Sequence, residues 1–180
     1  MRVFIAIEVP REIRQSLADL QEQLRPTTPS ARWVAADSIH ITLRFIGEIT
    51  ENRLEEIDAA LTGLTWKPLS IAVHGTGFFP GTSSPRVFWA GLQCSTMEGL
   101  AAEINARLET AGFDSEKRAF RAHLTLARSK EHRLESTLVK AAEQFAEIEF
   151  GKFTADRYYL YQSTTKAGGS VYTKLKEYPL

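Results

Sequence analysis

Cysteine is almost absent: Cys94 stands alone among 180 residues, so the chain closes no internal disulfide and suits a reducing compartment. An excess of charge is absent too, because 22 Lys and Arg face 22 Asp and Glu, a formal net charge of zero. A protein holding nucleic acid by blanket attraction to phosphates would be strongly basic. Phosphate chemistry here therefore needs a locally positive site. No apolar run approaches the roughly 20 residues of a membrane span. The N-terminal run Val3-Phe4-Ile5-Ala6-Ile7 stops at Glu8 and is too short for the apolar part of a signal peptide. These absences predict a cytoplasmic protein with no membrane partner. Metal-ligand spacings are missing as well: there is no HExxH and no paired cysteine.

What is present is an ordinary globular composition, 43% hydrophobic and 24% charged, which excludes wholesale disorder. The length fits one domain, or two small lobes sharing a core. Along the chain one order of elements occurs twice. Residues 10–26 and 95–112 carry apolar residues at helical spacing, Ile13, Leu17, Leu20 and Leu24 in the first and Met97, Leu100, Ile104 and Leu108 in the second. Each helix leads to a strand, 39–46 and 122–127, then to a second helix, 51–64 and 134–145. A strand pair ends each half: 69–79 with 87–92, and 148–161 with 171–178. Val3-Phe4, Val87-Phe88 and Val171-Tyr172 recur at an interval of 84 residues. Such agreement predicts one domain over residues 1–180, formed by internal duplication. Its fold class is α+β: two pseudo-symmetric lobes, each an antiparallel sheet with two helices on its outer face, and a cleft between the sheets as the site.

The equivalent strands contain His40-Ile41-Thr42-Leu43 and His123-Leu124-Thr125-Leu126. Side chains alternate along a strand, so His40 and Thr42 share one face while Ile41, Leu43 and Phe45 share the other, and likewise in the second copy. Two imidazoles titrating near neutrality can divide the roles of general base and general acid. Two hydroxyls can hold the non-bridging oxygens of a phosphate. No metal and no cofactor is required. His74 also begins an H-x-T, but glycines flank it and it lies outside the repeated position. His132 sits in a charged stretch, and both are read as structural.

With its flanking residues, His40-Ile41-Thr42-Leu43-Arg44-Phe45-Ile46-Gly47-Glu48 and His123-Leu124-Thr125-Leu126-Ala127-Arg128, the pair resembles the 2H phosphoesterase superfamily, and within it the RNA 2′,3′-cyclic phosphodiesterases, or LigT-like 2′-5′ RNA ligases. The strands at Arg2–Ile7 and Arg86–Gly91 extend the resemblance over essentially the whole chain. Ala122 departs from it, since many members have proline before the second histidine. The resemblance implies hydrolysis of RNA 2′,3′-cyclic phosphate ends to 2′-phosphomonoesters, with reversible 2′-5′ ligation in some members. It also implies that His40 is the proton donor and His123 the acceptor. A non-catalytic RNA-end receptor and a phosphodiesterase on another cyclic or 2′-5′-linked nucleotide are the rival readings.

Around the second motif, Lys117, Arg118, Arg121, Arg128, Lys130 and Arg133 face one acid, Glu131. Alternation puts Arg121 on the His123 face, Arg44 beside His40 and Thr42, and Arg128 formally on the opposite face. All three are candidates to grip phosphate. Phe78, Phe79, Trp89, Tyr158 and Tyr161 are the candidates to stack a base. The loops 81–85 and 164–169 are candidate rims of the groove, and a chain with its own core is expected to be a monomer.

Overall fold

The computed structural model describes residues 1–180. β1 (Arg2–Glu8) is apolar without alternation, and it is buried on both faces. Pro10 then ends the strand, and α1 (Arg11–Leu24) turns Ile13, Leu17, Leu20 and Leu24 inward at helical spacing. The short β2 (Ala31–Trp33), β3 (His40–Glu48) and α2 (Arg53–Leu61) follow, then β4 (Leu69–Phe79). The second half runs β5 (Val87–Gln93), α3 (Met97–Thr110), β6 (His123–Ser129), α4 (Ser136–Ala142), β7 (Glu149–Ala155), β8 (Arg157–Lys166) and β9 (Gly169–Pro179).

Two antiparallel sheets result, one ordered β3-β1-β8-β9 and the other β2-β6-β5-β4-β7. The run 3-1-8 matches the run 6-5-4: each motif strand neighbours the first strand of its own half, which neighbours a strand from the other half. One strand of each half has changed places, β4 joining β5 and β8 joining β1. The helices are exchanged in the same way. α1 packs on β7 and α4, while α3 packs on β3 and α2, so each sheet is covered by one helix from each half. A single cluster of 38 buried side chains draws on both sheets and all four helices, which makes the two lobes one cooperative unit. No helix is long and apolar enough to cross a membrane.

Two details differ from the alternation pattern. The apolar run 148–161 is two strands, because the chain leaves the five-stranded sheet at Asp156 and enters the four-stranded one. Val171-Tyr172 lies on the outermost strand, β9, and has no place equivalent to Val3 or Val87. Its match to the 84-residue interval reflects good strand chemistry.

Behind β1 the four-stranded sheet packs Val3, Ile5 and Ile7 into the main core. Its other face carries a separate small cluster, Phe4, Ala6, Tyr159 and Tyr161, with Tyr172 against it. That aromatic face is the wall on which His40 stands.

Candidate active site

β3 and β6 depart from regular pairing at the same place. Opposite β1, Ala6 pairs with Thr42 and Ile5 with Arg44, so Leu43 is an extra residue. Opposite β5, Trp89 pairs with Thr125 and Phe88 with Ala127, so Leu126 is the extra one. A bulge inserts one residue and reverses the facing of everything after it. His40 and Thr42 face the cleft as alternation requires, and so do His123 and Thr125.

Beyond the bulge Arg44 reaches the cleft as part of its wall. Its side chain is only 4% exposed and is turned into the cleft wall, donating to the Asp114 carbonyl and lying 3.7 Å from the Glu116 carboxylate. It pins the segment after α3 and is not free for substrate. Phe45, assigned by alternation to the apolar side, instead emerges into the cleft with 49% of its surface exposed. In the second copy the reversal brings Arg128 into the cleft, where alternation had placed it opposite. Phe45 and Arg128 are thus the matching residues of the two motifs, one offering a ring and the other a cation.

Gln21 locks the second bulge. This amide on α1 is 3% exposed, and its Nε2 donates to the Val34 carbonyl at 2.8 Å and to the Leu126 carbonyl at 3.0 Å. Gln21→Leu deletes both hydrogen bonds, and Gln21→Glu replaces the donor by an acceptor. Each variant is expected to lose about 1–3 kcal/mol of stability in urea titration. Each should also lose about tenfold to a hundredfold in kcat/KM well below its Tm, as the bulge slackens and Arg128 moves. A folded Gln21 variant with unaltered kcat/KM would refute that link.

Both imidazoles are held alike. His40 Nδ1–H donates to the Ser38 carbonyl at 2.8 Å, and His123 Nδ1–H to the Arg121 carbonyl at 2.6 Å. In each case the acceptor lies two residues upstream. The bond selects one tautomer and leaves Nε2 as the basic nitrogen. The rings are wedged by aromatics: Tyr172 meets His40 edge-on at 5.1 Å between centroids, Phe4 lies 4.8 Å away, and Phe79 meets His123 edge-on at 5.0 Å. Burial pushes both imidazoles below their ordinary pKa. The backbone hydrogen bonds partly oppose this, and the Arg128 charge lowers both further.

The cleft they share has a volume of about 570 Å³. Arg118, Arg121 and Arg128 line it, and its carboxylate, Glu116, is paired with Arg44. A neutral chain thus concentrates positive charge where two bases and two hydroxyls meet. The Arg121 guanidinium also sits 5.6 Å from the Phe79 ring centroid.

Of the stacking candidates only Phe79 reaches the cleft. Tyr158 is fully buried and stacks on Tyr178, Phe78 packs on Phe88, Tyr161 is buried on Phe4, and Trp89 covers Gly77. Alternation missed Phe45, and it gave no reason to single out Tyr172. Neither loop proposed as a rim lines the cleft; residues 116–121 do. His74 lies on β4, 3.7 Å from Glu147, and takes no part.

Two sheets each send an imidazole and a hydroxyl into one positive cleft, an arrangement able to hold a phosphate between two proton-transfer groups. Comparison with known proteins agrees over nearly the whole chain. The family described as LigT like Phosphoesterase matches residues 7–89 and 94–172. An RNA 2′,3′-cyclic phosphodiesterase of Methanocaldococcus jannaschii is 33% identical over 178 residues, covering 99% of this chain and 100% of the relative. One of Thermotoga maritima is 32% identical, covering 98% and 94%. Among solved structures, TT0787 of Thermus thermophilus superposes with a TM-score of 0.81 at 28% identity, covering 100% and 98%. E. coli LigT complexed with 3′-AMP gives 0.81 at 25%, covering 99% and 97%. The chain belongs to the LigT-like phosphoesterase family.

Proposed function

We propose that the chain hydrolyses RNA 2′,3′-cyclic phosphate ends to 2′-phosphomonoesters by two-histidine general acid and base catalysis, without a metal. The carrying observation is the shared cleft, in which two equally oriented imidazoles leave Nε2 basic beside two threonine hydroxyls. His123 Nε2 takes a proton from water as its oxygen bonds to phosphorus. The P–O3′ bond breaks, and His40 returns a proton to O3′. Thr42, Thr125 and Arg128 hold the non-bridging oxygens as charge builds on them. The exposed Phe45 ring is a platform for the terminal base, facing the wall that carries Arg121. The names of the relatives support this substrate class. With an RNA 5′-hydroxyl in place of water, the same steps form a 2′-5′ linkage and free O3′, and their reverse cleaves that linkage. The matched strand order of the two sheets supports a duplicated origin, and we read the protein as a cytoplasmic monomer.

The test is a defined oligonucleotide with a cyclic-phosphate end, incubated in EDTA. Turnover should persist and the product should carry a 2′-phosphate. Loss of turnover on chelation, restored by a divalent ion, would overturn the mechanism. Binding without product would favour a receptor.

A further inference from the structure

A second groove opens on the far side of His40. Phe4, Tyr161, Tyr172, Arg14 and Lys174 line it, and it encloses about 410 Å³. It meets the catalytic cleft at Ser38, Ile39, His40 and Tyr172, so the edge contact of Tyr172 on His40 is the divide between the two. Past Glu8 and Arg14 it continues into a third hollow lined by Arg11, Arg14 and Arg157. Beyond His40 and Tyr172 at the divide, hydrolysis of a small cyclic phosphate uses none of this surface.

We propose that the groove carries the single-stranded RNA on the 5′ side of the cyclic phosphate, which makes the protein selective for oligonucleotide over mononucleotide ends. The proposal rests on the reading of His40 as the acid at O3′. Ribose stereochemistry then supplies the direction. C2′ neighbours C1′, which bears the base, whereas C3′ neighbours C4′, which bears C5′ and the upstream chain. With O3′ at His40 and the base toward Phe45, five residues further along β3, the C4′ side of the sugar points the other way. That way lies the groove: Phe45 lines the cleft and not the groove.

The lining suits such a strand. Tyr172, half-buried at the rim, offers aromatic surface for a base. Lys174 pairs with Glu8 at 2.8 Å and Arg14 with Asp37 at 3.0 Å, while the Arg14 Nε is buried without a partner. Arg157 pairs with Asp156 at 2.8 Å and with Glu177 at 2.9 Å. Exposed pairs of this kind are worth little, so a phosphodiester can claim the cation at small cost. Arg11 is exposed and stands in no ion pair. A short strand that meets Arg11 and displaces one or two of these pairs suits such a lining, and a long duplex does not.

The test compares kcat/KM for a 2′,3′-cyclic mononucleotide with that for di- and tetranucleotides ending in the same group, at several salt concentrations. The longer substrates should be favoured about tenfold or more. Their log–log salt dependence should steepen by about 0.7 per contacted phosphate. Lys174→Glu and, independently, Arg11→Glu should remove most of the gain. Both sites are at the surface and distant in sequence, so a folding defect in one leaves the other to decide. Equal kcat/KM and equal slopes for short and long substrates would overturn the proposal. So would a gain that survives both changes and vanishes in Arg118→Glu, which would run the chain over the opposite wall. Failure to turn over any of the substrates would instead refute the phosphodiesterase reading itself.

Discussion

His123→Asn is expected to lower kcat on a cyclic-phosphate end by about 10²–10⁴, the contribution of one positioned acid or base. Asparagine keeps a side-chain donor for the Arg121 carbonyl but offers no basic nitrogen, so product affinity should change far less than the rate. His40→Asn should cost a similar factor, and the double variant little more than either, because the two rings serve one proton transfer chain. The pH profile separates their roles. A base must be neutral, so its titration sets the acid limb of kcat/KM; an acid must be charged, so its titration sets the alkaline limb. His123→Asn should erase the acid limb and His40→Asn the alkaline one, each leaving a one-sided profile. The opposite pattern would exchange the two assignments, and full activity in either variant would end the mechanism.

The second large effect concerns Arg128. Its charge lowers both imidazoles, after burial, and with both depressed the free enzyme is mostly doubly neutral at about pH 7. The wild-type optimum in kcat/KM is therefore expected below about pH 6.5, the ordinary histidine value. Arg128→Met removes a repulsive positive charge, so both imidazoles hold protons more tightly and both limbs move alkaline. The rate at the new optimum should fall about 10²–10³, as when one preorganised donor to a developing anion is deleted. Arg128→Lys should restore the position of the bell while recovering only part of the rate, because an ammonium keeps the charge and loses the paired donors. Profiles of all three proteins check this; an acid-ward shift in Arg128→Met would refute it.

The strands that bear the site were legible because His40, Ile41, Thr42 and Leu43 alternate and then do so again 83 residues on. The bulges were not. Leu43-Arg44 satisfies alternation on paper, and only pairing to β1 reveals the extra residue. One hint was available: the residue matching Arg44 in the second copy is Ala127, a small apolar residue that marks a buried place. Phe45 and Arg128 were misfaced for the same reason. Gln21 looked like any polar residue on a helix, since its carbonyl partners, Val34 just past β2 and Leu126 at the bulge of β6, are brought to it only by the tertiary fold. The change of sheet at Asp156 has neither glycine nor proline beside it to signal it.

The strand exchange bears on how substrate enters. The connections into β4 and β8 tie each half to the opposite sheet and one buried core spans both, so swinging the sheets apart would open that core to water. Opening by a hinge is thereby denied to this architecture. RNA ends must be captured by a standing slot, with adjustment left to residues 116–121. A nick in the 80–86 loop would yield two fragments, each lacking a strand that the other holds, and activity would return only on mixing them.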